Sequence, residues 1–357
     1  IKTYQSYIIT TFSKIFLYVF FIFLFLTIIL NIFEEVSFFK NTDVSLLFPF
    51  YMTLLNTPSV IYETFPFIFF IATQFFFIRL LDREELDIFK KISLSNTKLI
   101  IILSIFSFIL SALIIIIFYN LSSNLKFIYL DVKNKYSKDN KYLAVVTGNG
   151  LWIRDKLPDT TNYINADKIE KENLLDVSIS QFDKNFDLIK IITSKKANIR
   201  NNEWILSDVV VNKNNTTQKF DELEFYSNFN IKKILSIFEN FSSLNVLKLE
   251  DLRKDYELLG YNTEIIDGYK HKLYSYPIYL TLMVCIASIL MLKIKYNKSK
   301  IFNVTFGILI SVIIYYINHF FNVIIETQNI PYLFSIWGPQ MIIFMIVTVN
   351  LIRINEK

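Results

Sequence analysis

Hydrophobic residues along this chain gather in six runs of about 20 residues, the length that crosses a hydrocarbon core as a helix. Three fall early, at Phe12 to Phe33, Ser59 to Leu80 and Leu99 to Tyr119. Three fall late, at Leu273 to Leu292, Ile301 to Ile325 and Tyr332 to Ile352. Between the blocks lies a polar stretch of roughly 150 residues, Leu121 to Lys272. This 3 + 3 split predicts a membrane α-helical fold of six transmembrane helices with one folded domain inserted on one side of the bilayer.

Within the insert the period changes from helical to alternating. Leu143 to Val146 and Leu151 to Ile153 flank Gly148-Asn149-Gly150, a hairpin signal. Val177, Ile179 and Gln181 alternate with Ser178 and Ser180, and Leu188 to Thr193 resumes after a polar turn at Asp183 to Asn185. Asn201-Asn202 then separates Ala197 to Arg200 from Glu203 to Leu206, ahead of Val209 to Val211. Successive hairpins of this kind predict an all-β sandwich, jelly roll or open barrel. Trp152 and Trp204 are expected as core or hairpin anchors. After Asn230 the pattern turns helical, with Leu249 to Leu259 running to Gly260, a helix stop.

Between the second and third runs, Leu81 to Ile92 forms a short amphipathic segment with acids near its start and Lys90 and Lys91 near its end, as the helix dipole prefers. Glu85, Phe89 and Ile92 share one face at i, i+4 and i+7, which sets an acid beside an apolar edge. Such an edge can dock a partner protein. It can equally be a solvated connector with interfacial charges.

Charge fixes an orientation. With the N-terminus inside, the inside loops hold Lys2 and Lys14, Arg79 to Lys98, Lys293 to Lys300, and Arg353 with Lys357. The outside connections Glu34 to Thr57 and Glu326 to Pro331 hold only Lys40. By the positive-inside rule both termini are cytoplasmic and the insert lies outside the cytoplasm. The first run is too long for a signal-peptide core and ends in Glu34-Glu35 without a small-residue cleavage site, so it is read as a retained span. A start at Ile1 rather than Met points to residues before it.

Composition agrees, with hydrophobic residues at 53% and charged residues at 19%, too apolar for an ordinary soluble chain. Topogenic lysines account for much of the net charge of +5, which leaves no call for nucleic acid. The single Cys285 excludes an intrachain disulfide, so the insert must hold together by packing. No Gly-x-x-x-x-Gly-Lys-Ser/Thr phosphate loop is present, so this chain cannot be the engine, energy must come from a partner, and no cofactor is expected on this chain. Two histidines and one cysteine give no zinc constellation, and no nucleophile, base and orienting acid stand at a known motif.

Among ionisable groups inside the spans, Asn318-His319 near the outer end of the fifth and Glu63 near the outer end of the second are candidate lipid contacts. Interhelical hydrogen bonding is the competing role for His319, and headgroup reach for Glu63. The phenylalanine faces of the first two spans, with Phe65, Phe67 and Phe69, suit acyl chains in a cavity or ordinary bilayer lipid alike.

Several motifs, in order and spacing, now coincide. The chain resembles the lipopolysaccharide-export permease family LptF/LptG over essentially its whole length. Thr53-Leu-Leu-Asn-Thr-Pro58 is similar to the start of the family's second span, with Pro66 at the family spacing. Arg83-Glu84-Glu85-Leu86 is similar to the Arg-x-Glu-Leu coupling helix, and Asn149 to Asp155 to the Gly-Leu-Trp turn that opens the jelly roll. Pro277, Ile330-Pro331 and Pro339 match prolines of the fourth and last spans. Details of the turn and the last span favour the LptG branch.

The resemblance implies a chain divided into residues 1–120 (three spans, with a coupling helix at about 81–92), 121–265 (a periplasmic β-jelly-roll domain) and 266–357 (three spans). It implies a bacterial inner-membrane subunit, paired with an LptF-type permease on an LptB ATPase dimer, that extracts lipopolysaccharide and passes it to LptC and a periplasmic bridge. Arg83, Glu84, Glu85, Leu86 and Phe89 become the ATPase-coupling residues, with Glu85 meeting a basic groove. The candidate substrate contacts are Glu63, Phe67, Asn318 and His319, read from their place in the spans, with Asn31 and Lys40 at or near positions where lysines are expected in the family. Two departures stand out. Ser93 occupies the place of a glycine after the coupling helix, and Asn31 and Phe38 stand where lysines suited to lipid phosphate are expected. A lipoprotein-release permease, with its external domain after the first of four spans, fits the 3 + 3 pattern poorly. A membrane-embedded lipid-modifying enzyme lacks a convergent catalytic cluster.

Overall fold

A computed structural model describes residues 3–40, 42, 44–45, 47–136, 151–170, 172–213, 216–231, 234, 241–259, 263–293, 300–326 and 330–355. The hairpin expected around Gly148 and the helix stop at Gly260 lie outside these residues. The chain forms two compact units, Ile1–Tyr129 with Asp267–Lys357, and Leu130–Ile266.

Among the described residues, six helices are long and apolar enough to cross a membrane. The first two are α1 (Thr3–Phe39) and α2 (Phe48–Asp82); after the short α3 (Glu85–Lys91) comes α4 (Asn96–Leu113). Through one π-helical stretch, Ile114–Tyr119, α4 continues into α5 (Asn120–Tyr136). Beyond the β-strands and the short α6 (Val246–Leu259) follow α7 (Glu264–Lys293), α8 (Lys300–Glu326) and α9 (Tyr332–Asn355). The spans outrun the apolar stretches that signalled them. At 37 residues, α1 measures about 55 Å against a hydrocarbon core of about 30 Å. Its polar flanks contain neither glycine nor proline to end the helix, so hydropathy marks the membrane and not the helix ends.

Packing of the helical unit follows from its phenylalanines. Phe16 of α1 meets Phe69 of α2 edge-on at 4.9 Å between centroids, and Phe65 meets Phe118 at 5.2 Å. Each such pair adds about 0.5–1.5 kcal/mol to simple contact. Phe65 and Phe69 are therefore buried between helices, while Phe67 is half-buried. Of the three phenylalanines expected to suit acyl chains, Phe65 and Phe69 thus pack between helices instead, and Phe67, two residues from each, points in a different direction. Gln74 of α2 donates through Nε2 to the Asn303 carbonyl of α8 at 3.1 Å. The close approach uses Gly307, where any Cβ would collide with the Gln74 amide. Buried most are α2 and α7, while α1 and α8 turn the most apolar surface outward.

The second unit is built on a six-stranded antiparallel sheet in the order β1-β2-β3-β4-β5-β6. Its strands are β1 (Leu151–Lys156), β2 (Thr161–Glu170), β3 (Asn173–Phe182), β4 (Leu188–Asn198), β5 (Glu203–Lys213) and β6 (Thr216–Tyr226). Each strand pairs its neighbours in sequence, so the succession of hairpins is the fold. The registers Ile153↔Ile164, Ile164↔Ile179 and Ile179↔Ile192 run one apolar row across four strands. All four isoleucines are buried, as period-2 alternation requires. Along β6 almost every residue is exposed, and Lys219, Asp221, Glu222 and Glu224 place charges along it, which discourages unwanted strand addition.

Trp204 is fully buried, donates through Nε1 to the Phe229 carbonyl at 2.7 Å, and lies 6.0 Å from the Phe225 ring. Trp152, expected beside it as an anchor, is instead 57% exposed. Leu151 and Ile153 take the inner face, so the residue between them must point out. Buried Asp155 receives both the backbone N–H of Asn228 (3.2 Å) and its side-chain amide (2.9 Å), which ties β1 to the chain beyond β6. On α6, Asn245 caps the N-terminus by accepting from Lys248 N at 2.9 Å. Leu249 and Leu252 turn inward, and burial pushes the Tyr256 phenol above its ordinary pKa.

Candidate functional site

The segment after α2 is shaped by two left-handed residues. Glu84, at φ 56°, breaks α2 from α3, and Ser93, at φ 61°, ends α3. Ser93 N–H reaches the Lys90 carbonyl at 3.0 Å and Leu94 N–H reaches the Phe89 carbonyl at 2.9 Å. This is the paired pattern of a Schellman stop, usually built on glycine. Serine holds it at a cost of roughly 1 kcal/mol, and buried Phe89 and Leu94 supply the accompanying apolar contact. The turn expected at glycine is thus present on Ser93. Ser95 then caps α4 by accepting from Lys98 N at 3.2 Å.

Leu86 and Phe89, three apart, are both buried in the core of the helical unit. Phe89 was expected beside Ile92 on an outer edge, but it anchors α3 inward. The outer edge consists of Ile88 and Ile92, each more than half exposed, flanked by Glu84, Asp87, Lys90 and Lys91. Glu85 sits at the boundary, its side chain 15% exposed. It accepts from the Tyr7 hydroxyl of α1 at 2.7 Å and lies 3.9 Å from Arg83, whose side chain is largely exposed. The second Glu85 oxygen and Arg79 Nε are buried without a hydrogen-bond partner among the described residues. Sequence alone missed Tyr7 and could not have found it, because 78 residues separate it from Glu85.

Toward the other end of the same unit, Pro66 removes the N–H that would bond the Tyr62 carbonyl, four residues earlier. The Tyr276 hydroxyl of α7 donates to that carbonyl, and the two tyrosine rings stack at 4.7 Å. This is how a proline survives in mid-span: a neighbouring helix satisfies the bare backbone. Phe67 contacts the Tyr315 ring of α8 at 5.1 Å, and Tyr315 stacks on His319 at 6.1 Å with planes 2° apart. Exposed Glu63 lies within electrostatic reach of Tyr62, Tyr276 and Tyr315. Phe67 and His319 are therefore gathered on Tyr315, which the sequence did not single out. Asn318 is half-buried beside them in sequence.

The remaining expected contacts are separate. Asn31 is buried in α1, with its Nδ2 lacking a partner among the described residues, and Lys40 is exposed in the turn after α1. Lys126 of α5 donates to the Asn56 side chain at 2.6 Å, which brings a cation onto the Thr53 to Pro58 motif. Among the described residues no three His, Cys, Asp or Glu side chains converge as a metal site.

A family model described as "Lipopolysaccharide export system permease LptF/LptG" matches residues 6–353. No curated protein matches the chain significantly.

Proposed function

From the chain's membership of the LptF/LptG lipopolysaccharide export permease family, we propose that it is a non-enzymatic transmembrane subunit that takes lipopolysaccharide out of the bacterial inner membrane. The observation that carries this reading is the family match across nearly the whole chain, spans and insert together. Within the family we take the LptG branch, with an LptF-type subunit as partner. The outward apolar faces of α1 and α8 supply surface for that pairing.

In this reading α3 is the coupling helix. Leu86 and Phe89 fix it to the bundle, so a push on Ile88, Ile92 or Glu85 by the LptB ATPase is passed to α2 and α4 as a rigid displacement. ATP stays in that partner. Both termini are cytoplasmic, by the distribution of lysine and arginine, and the β unit is periplasmic. Residues 1–120 and 266–357 form the membrane part and 121–265 the domain that hands lipid on through LptC. Lys40, Glu63, Phe67, Asn318 and His319 are the proposed cargo contacts, with Tyr315 joining Phe67 to His319; Asn31, buried in α1, offers cargo little open surface.

Purification of the chain from bacterial membranes in mild detergent tests this. The expected eluate contains a second permease of the same family, an ATPase and lipopolysaccharide. An eluate with lipopolysaccharide and ATPase both absent, from membranes that contain them, overturns the reading.

A further inference from the structure

Between α7, α8 and α9 lies an apolar slot of about 330 Å³, at the small end of ligand sites. Leu290 of α7, Ile314 of α8, and Ile343 and Val347 of α9 form its walls. One end is polar. There Lys293 and Asn350 line it, and Lys293 Nζ donates to Asn350 Oδ1. An amide oxygen orients the ammonium without neutralising its charge. At the far end stands Pro339, which has no N–H to contribute to the helix ladder.

From Pro339 to Asn350 along α9 is about 16 Å at 1.5 Å per residue. Half of a 30 Å hydrocarbon core is about 15 Å. The slot is thus one leaflet deep, with a cation where a headgroup belongs.

We propose that this slot is a binding site for an anionic glycerophospholipid, which lays one acyl chain along Ile314 and Val347 and sets its phosphate against Lys293. Basic pockets between spans commonly take anionic headgroups in this way. The leaflet is the cytoplasmic one, a placement that rests on the sidedness used under Proposed function; the slot and its ligand class do not rest on it. A volume of about 330 Å³ excludes the body of a multi-acyl glycolipid, so the site is distinct from any cargo path at the outer ends of the spans. Its occupant acts as a wedge that sets the packing of α8 and α9 on α7.

The test is native mass spectrometry of the full-length chain, purified with whatever subunits accompany it. The chain is titrated with dioleoyl-phosphatidylglycerol, dioleoyl-phosphatidylcholine or lipid A. One phosphatidylglycerol is expected to be retained roughly fivefold or more tightly than phosphatidylcholine, the worth of about one lysine at a membrane surface. Lys293→Gln removes that preference, and Ile343→Trp, which fills the slot, removes the retained lipid. Because Ile343→Trp can misfold, a phosphatidylglycerol with a mid-chain diazirine is also crosslinked to the unmodified chain. Adducts within residues 286–293 and 339–350 are expected. Equal retention of both phospholipids, tighter retention of lipid A at this site, or adducts confined elsewhere overturns the proposal. None of these readouts depends on ATP or transport, so failure here and failure of the export reading are separable.

Discussion

Glu85→Lys is expected to abolish co-purification of the ATPase proposed as partner while leaving the chain inserted and folded. The local cost of the change is bounded. It loses one hydrogen bond from Tyr7 to a carboxylate, about 1.5–3 kcal/mol, and a long contact with the exposed Arg83 worth at most about 1 kcal/mol, while the lysine that replaces a 15% exposed side chain carries its ammonium out to water on a long stem. The aromatic core between α1 and α2 is untouched. Docking suffers far more. Removing one member of a buried charge pair at an interface costs about 2–5 kcal/mol, roughly 30-fold to several-thousand-fold in affinity. Reversal adds repulsion, because the new lysine joins Arg83 at the surface proposed to meet a basic groove. Tyr7→Phe is the control: it deletes the same hydrogen bond, keeps the charge, and retains capture. Normal ATPase capture by Glu85→Lys would remove α3 as the coupling element.

The second large effect is on the β unit. Trp204→Ala removes a fully buried indole, which costs about 3–5 kcal/mol, and deletes its hydrogen bond to the Phe229 carbonyl, about 0.5–1.5 kcal/mol more. A typical domain has only 5–15 kcal/mol of stability, and Cys285 lies outside this unit, so no disulfide compensates. Limited proteolysis of the full-length protein in increasing urea should cut Trp204→Ala within residues 151–226 well before wild type. Trp152→Ala, on the exposed face, should match wild type to within about 0.5 kcal/mol. Equal resistance of all three proteins would contradict the packing described here.

The difference between these tryptophans illustrates what sequence makes legible. Six spans, their order and the alternating insert were visible because burial in lipid and in a sheet face each impose a fixed period. By residue type Trp152 reads as an anchor, although its neighbours Leu151 and Ile153 already assign it the outer face. Phe89 misleads for the converse reason. Its spacing to Glu85 and Ile92 is genuine, but Leu86 and Leu94 claim it for the core, and only tertiary packing decides between two overlapping stripes. Helix ends were underestimated because hydropathy falls off at the membrane boundary while the backbone hydrogen bonds continue.

At the outer ends of the spans, residue chemistry pointed to Glu63, Phe67 and His319 one by one. Tyr315, which brings Phe67 and His319 together, and Tyr276, which serves the carbonyl freed by Pro66, act across 248 and 214 residues of chain. No local pattern reaches that far. Family resemblance located the prolines and the coupling motif, and the structure supplied the physical reasons: a borrowed hydroxyl, a left-handed serine and an inward phenylalanine.

The central claim, that lipid leaves the membrane through this chain under ATP control, is met most directly by site-specific photo-crosslinking in cells. Crosslinkers at Phe33 of α1, Glu63 of α2 and Ile179 of β3 are illuminated with and without depletion of ATP. The account predicts lipopolysaccharide adducts at Phe33 and Glu63 under both conditions and at Ile179 only with ATP. Adducts at Ile179 that persist without ATP, or no lipopolysaccharide at any of the three, would contradict it.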